Sequence, residues 1–217
     1  MVSPEFRIAG IPKREDSYMS KMSKAKKERD SQAALVCGEA FQRLSEEFIP
    51  KIGAIKVESS QAISNELGDL VACATNLGFA IELYLKALLT QLDLPVPQVH
   101  NLRALYDTIP QQVRVIIESV YDTALPEDLR RLRGHVSITL AKGPLKEPLW
   151  DDYSKVSLDL PDLLSRSKDL FQCWRYVFEF NSPEGNLYQF HQFEYALLRC
   201  AAEAMRVEIT ARLGGTG

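Results

Sequence analysis

The chain has 217 residues, 46% of them apolar, which is enough for one sizeable core and makes one domain with appendages the expected organisation. A formal charge of -3 and a pI near 5.7 exclude a protein that coats nucleic acid through a general positive field, while leaving a local basic patch open. Cys37, Cys73, Cys173 and Cys200 lie far apart with no CxxC pair, and His100, His135 and His191 are the only histidines, so neither a zinc site nor a disulfide framework is expected. Reduced thiols, three of them in apolar helical patterns, fit a cytoplasmic protein.

The first residues carry no continuous apolar stretch of signal-peptide length. The most apolar region, from Ile63 to Leu92, is interrupted by Asn65, Glu66, Asp69, Asn76, Glu82, Lys86 and Gln91, so no membrane span is expected. Residues 1–29, with Pro4, Pro12 and the run KMSKAKKERD, read as a flexible leader. The run itself suits a solvated arm or the wet first turns of a helix.

From about Ser31, Ala33, Val36, Ala40, Phe41, Leu44 and Phe48 recur at helical spacing until Pro50, which predicts a first helix with that face inward. A stronger seam follows, in which Ile63, Leu67, Leu70, Ala74, Leu77, Ile81, Tyr84 and Leu88 step by four and three. The opposite face of this second helix is also apolar or small at Phe79, Leu83 and Ala87, so the first helix or a second subunit must cover it. Leu94-Pro95-Val96-Pro97 stops the helix.

HNLRALYDTI leads to Pro110, and Val113, Ile116, Ile117, Val120 and Ala124 mark a further helix closed by Pro126. The stretch 134–160 is an irregular insertion with a brief alternation at Val136, Ile138 and Leu140, which suits a strand or hairpin arm. Pro161 then opens a helix running through Trp174 to Phe180, and a last helix is predicted from Leu187 to Leu213. Residues 214–217 form a frayed tail, and one domain spans 30–213.

The residues most able to carry chemistry are polar ones set among apolar neighbours. Glu82 and Lys86 stand four apart in NLGFAIELYLKALL, and Arg175 and Glu179 repeat that spacing in CWRYVFEF. Burying such ions requires partners, so the pattern predicts a crossing where Arg175 joins Glu82 or Glu179, either as a structural network or as a ligand pocket that also takes Lys86 and His100. His100, after two prolines, is placed to cap the short helix behind it, and as a general base it would need Glu82 or Glu179 within reach.

The ordered set NLGFAIELYLKALL, a proline turn, HNLRALYDTIP and WRYVFEF resembles the HEPN superfamily, over roughly Ser31 to Leu213. The resemblance implies an all-α bundle of about five helices, with a loop or short hairpin excursion before the penultimate helix. It also implies a homodimer, acting as an RNA-associated or interaction module of a prokaryotic toxin–antitoxin, phage-defence or RNA-processing system, with a cognate antitoxin or defence protein as a further partner.

Active members of that group resemble metal-independent ribonucleases, in which an Arg holds the scissile phosphate and a His four to six residues on moves a proton, the pair usually lying near the start of the last core helix and at a dimer interface. Arg130 and His135, in LRRLRGHVS, match the spacing, but Gly134 and the β-branched residues after His135 set the pair at a helix end or loop. The nuclease motif is therefore degenerate in placement. An active ribonuclease using Arg130 and His135 is the alternative, and a small-ligand or nucleotide sensor with a pocket of Glu82, Lys86, His100 and Arg175 is the third reading. Phosphate loops, dinucleotide fingerprints, HExxH helices and GxSxG elbows are absent, and no metal or cofactor is expected.

Overall fold

The computed structural model describes residues 14–49, 65–125, 135–141, 156–177 and 188–214. These residues form helices α1 (Arg14–Glu46), α2 (Asn65–Gln91), α3 (Leu102–Asp107), α4 (Gln111–Ala124), α5 (Leu160–Arg166), α6 (Leu170–Arg175) and α7 (Tyr195–Gly214). One antiparallel ribbon pairs β1 (His135–Ala141) with β2 (Tyr188–Glu194). The molecule is mainly helical, as the periodicities require.

Helix α2 is the hub, packing on α1, α3, α6 and α7. Leu70, Ala74, Leu77, Ile81, Tyr84 and Leu88 of the predicted seam are buried, and Ile63 lies outside the described residues. Cys73, Ala80, Leu85, Ala87 and Leu89 are buried on its other sides, while one stripe through Ala72, Asn76, Phe79, Leu83 and Lys86 stays half-buried. By length and composition alone α2 could cross a membrane, but here the other helices cover most of its apolar surface. Its end is a Schellman turn: Asp93 takes φ 59°, the Leu94 amide donates to Leu89 O at 2.9 Å, and the Asp93 amide donates to Thr90 O at 3.3 Å. Lys27 of α1 forms an ion pair with Asp93.

Two expectations about α1 are corrected. Helix begins at Arg14, so residues 14–29, read as a leader, are the first turns of α1, the alternative that the basic run also suited. Only part of the predicted face packs inward: Phe41 and Phe48 lie against the core, but the closest contact is made by Ser31, Leu35, Gly38, Gln42 and Ser45, which are buried, while Val36 and Leu44 are 52% and 44% exposed. The reason is close approach to α2. The Ser31 hydroxyl donates to Ala87 O at 3.2 Å, Tyr84 Oη donates to Gln42 Oε1 at 2.8 Å, and Cys73 Sγ donates to Ser45 O at 3.3 Å. Helix α1 therefore covers Ala87, and Phe41 meets Phe79 edge-on at 4.7 Å.

The C-terminal third also differs from the periodic reading. The helix expected from Pro161 to Phe180 breaks at Ser167–Asp169, where the Lys168 carbonyl leaves the helix ladder and accepts the Leu102 amide at 2.8 Å. Gly78 permits this, since a Cβ there would sit 3.1 Å from the Phe171 amide nitrogen. The alternation at Val136, Ile138 and Leu140 is strand β1, as read, but its partner Tyr188–Glu194 occupies residues assigned to the last helix, which starts at Tyr195. All four cysteines are free; Cys73 and Cys200 are buried, whereas Cys37 and Cys173 are exposed, so two thiols and not three belong to the core.

The Gly38–Tyr84 approach yields a measurable contrast. A Cβ on Gly38 would lie 2.5 Å from Tyr84 Cε1, whereas one on Gly68 meets nothing within 4 Å. Gly38→Ala should lower stability by about 1 to 3 kcal/mol through overpacking, and Gly68→Ala should raise it by about 0.5 to 1 kcal/mol. Denaturant midpoints measure both, and a neutral Gly38→Ala would disprove the tight α1–α2 seam.

Candidate functional site

Glu82 stands in the middle of α2, 1% exposed, where an uncompensated carboxylate would be very costly. Two basic side chains meet it. Lys86 Nζ, one turn on, donates to Glu82 Oε1 at 2.7 Å, and His100 Nδ1 lies 3.0 Å from both Oε1 and Oε2. The proline turn after α2 brings His100 back over the helix it has just left.

The carboxylate only accepts, so Nδ1 carries the hydrogen in this contact, and Nε2 is the ring atom left for a ligand. The His100 side chain is 45% exposed, which makes that atom reachable. A neutral ring would offer Nε2 as a proton acceptor, and a protonated ring would offer it as a donor. His100 does not cap α3; Asn101 does, its side chain accepting the Ala104 amide at 2.9 Å.

Phe171 at the start of α6 forms the wall of the site. Its ring stacks on Phe79 at 5.1 Å and lies 5.7 Å from the His100 ring. The guanidinium of Arg175, an exposed residue, lies 5.7 Å from the Phe171 ring centroid and 5.2 Å from that of Tyr176, which is 45% exposed. The expected ion pair between Arg175 and Glu82 is therefore replaced: among the described residues Arg175 does not reach Glu82, and aromatic faces hold it instead. Glu179 lies outside the described residues. The aromatic sequence Phe41–Phe79–Phe171–His100 is the part of the site that charge spacing did not indicate; Gly78, which admits Phe171, was its signal.

Arg130 also lies outside the described residues, and of His135 the strand position alone is described. That position is informative. His135 opens β1 and pairs in register with Glu194, the residue immediately before α7. Glu194, 3% exposed, is gripped by Arg166 at 3.0 and 3.3 Å, and Trp174 Nε1 donates to Gln192 O at 3.2 Å. These bonds pin β2, and with it β1, to the α5–α6 break.

Clefts among the described residues lie away from His100. One of about 180 Å³ is lined by Arg166, Lys168, Cys173, Trp174 and Gln192. Another, about 320 Å³, runs between α1 and α7 along Glu39, Gln42, Arg43, Glu203 and Arg206. In the second, Arg206 binds Glu203 at 2.6 and 2.9 Å and holds its carboxyl below the usual range. No cluster of His, Cys, Asp and Glu suited to a metal occurs among the described residues.

The site separates its members by cost. Glu82→Ala strands Lys86 and His100, both of which can turn to water, and should cost about 3 kcal/mol, the low end for breaking a buried pair. Arg175→Ala should cost about half a kcal/mol or less, as for an exposed side chain. Thermal melts of the two proteins test this, and equal losses would mean that Arg175 is part of the buried network after all.

No family model matches the chain, and neither a curated protein nor a solved structure matches it significantly.

Proposed function

We propose that this protein is a HEPN-like, RNA-associated module of a prokaryotic toxin–antitoxin or defence system, which grips a phosphate of single-stranded RNA or a nucleotide at His100, with its nuclease motif degenerate. The observation that carries the reading is the convergence of His100, Lys86 and Arg175 around Glu82 and the Phe171 ring. Glu82 neutralises one cation of the group, so an anion entering beside His100 meets a net positive surface despite the overall charge of -3. Arg175 and Tyr176 add flat faces on which an unstacked base can lie. The family part of the reading rests on the sequence resemblance and on the helical architecture compatible with it.

The ribbon favours one second reading. By placing His135 beside Glu194, it brings the histidine of the Arg130–His135 pair to the start of the last helix, the position from which the resemblance implies catalysis. In that reading Arg130 holds the phosphate and His135 moves the proton of the ribose 2′-hydroxyl, without a metal.

One experiment addresses both. Fluorescence anisotropy with a labelled single-stranded RNA, in chelator and over a range of salt, should show binding that weakens roughly tenfold in Arg175→Ala. The slope of log affinity against log salt should also fall by about one for each lost phosphate contact, as in Lys86→Ala. RNA that stays intact and binds supports the module. RNA that is cut by the parent but not by His135→Ala supports the ribonuclease, and an absence of both binding and cleavage overturns the proposal.

A further inference from the structure

His100 is held on one side and open on the other, and the held side decides what the open side can do. Nδ1 lies 3.0 Å from both oxygens of Glu82, a carboxylate that is 1% exposed and also accepts from Lys86 Nζ at 2.7 Å. A ring with its only hydrogen on Nε2 would turn a bare Nδ1 lone pair toward those oxygens. That arrangement repels, so Glu82 excludes this tautomer.

The consequence falls on Nε2, the reachable atom of a side chain that is 45% exposed. A histidine without such a partner can place its one hydrogen on Nε2 and donate outward while neutral. Here the neutral ring keeps that hydrogen on Nδ1 and shows Nε2 as a lone pair, which an anionic oxygen avoids. A second proton makes Nε2 a donor, and the same proton adds the positive charge that an anion needs.

The charged groups that face or flank the ring come from three sides. Helix α2 brings Glu82 and Lys86, and α6 brings Arg175 over the Phe171 ring that His100 meets. On the side of α3, Arg103 is paired with Asp107 at 2.8 Å, and the bond from the Leu102 amide to Lys168 O sets Lys168 and Asp169 nearby, of opposite sign. Lysines, arginines and carboxylates ordinarily titrate outside the range of about pH 5 to 8 in which an imidazole changes charge. Partial desolvation pushes the Cys173 thiol of α6 up, away from that range.

We infer that the His100 site is a proton-coupled anion receptor, in which a phosphate binds as one proton is taken up on Nε2 and Glu82 is the positioning residue that makes the coupling obligatory. The neutral ring, a proton from solvent and a phosphodiester anion combine into an imidazolium that donates through Nδ1 to Glu82 and through Nε2 to a phosphate oxygen. No covalent bond of the ligand changes. This coupling rests on the proposed phosphate site and adds its regulation, since binding is lost as pH rises.

One measurement needs no ligand. Two-bond proton–nitrogen spectra of the ring, followed through its titration, should show Nδ1 protonated and Nε2 bare in the neutral form, and a hydrogen on Nε2 there overturns the inference. The other is fluorescence anisotropy with a labelled oligouridylate that lacks a terminal phosphate, so that the ligand does not titrate over the same range. Affinity should fall by about tenfold or more as the ring passes from protonated to neutral, the slope never exceeding about tenfold per pH unit for one linked proton. His100→Arg, a donor at every pH, should give a flat profile, and Arg175→Ala should weaken binding by the same factor throughout. Glu82→Gln can turn its amide nitrogen to Nδ1, which admits the other tautomer, and should flatten the profile without abolishing binding. Helical circular dichroism shows whether that variant folds, and the spectra and His100→Arg decide the matter if it does not. A parent profile as flat as that of His100→Arg overturns the coupling and leaves the phosphate site standing, whereas no binding at any pH overturns the site and the coupling with it.

Discussion

A carboxylate in the middle of the most buried helix constrains much of this structure. Glu82 is enclosed on a helix whose neighbours are nearly all apolar, and an isolated charge there would be prohibitive. Lys86 comes from the same helix at the spacing that favours an ion pair. His100 must come from elsewhere, and its arrival ties the turn after α2, and the start of α3, to the middle of α2. The His100 ring in turn offers a flat face to Phe171, and Phe171 fixes where α6 begins. A polar requirement at one position thus organises three segments and leaves one imidazole nitrogen facing outward. That is why the place where the core is electrostatically most demanding is also where a ligand is most readily imagined.

The contact between α1 and α2 follows another logic. It is made by small and polar residues that permit close approach, with the Ser31 hydroxyl on a helix carbonyl, the Gln42 amide under the Tyr84 hydroxyl and no side chain at all at Gly38. Burial pushes the Tyr84 hydroxyl well above its ordinary range, in keeping with a neutral donor to Gln42 Oε1. Such a seam leaves Val36 and Leu44 on the outside, while Phe41 and Phe48 pack against the core.

The ribbon shows how topology joins residues that local patterns cannot relate. His135 and Glu194 are far apart along the chain, and each lies beside the other through antiparallel pairing alone. Arg166 anchors Glu194, and Trp174, fully enclosed against Phe193 at 5.6 Å, anchors the carbonyl of Gln192. These contacts place the ribbon against the break between α5 and α6, beside the cleft of Arg166 and Lys168.

By itself the sequence determined that the chain is helical, that α2 is central and that Glu82, Lys86 and His100 are its unusual polar residues, because a 3.6-residue repeat and a charge among leucines are visible without any neighbour. It also located β1 from a two-residue alternation. What tertiary structure alone decided was which face of α1 turns inward, since periodicity reports that a stripe wants covering and not which surface covers it. It decided that Tyr188–Glu194 is a strand, because seven residues with two periodic readings take the one whose backbone finds a partner. And it decided that Arg175 rests on Phe171 and Tyr176 and not on Glu82, because a long side chain at a helix end goes where solvent and ring faces stabilise its charge, a choice that spacing along the chain does not encode.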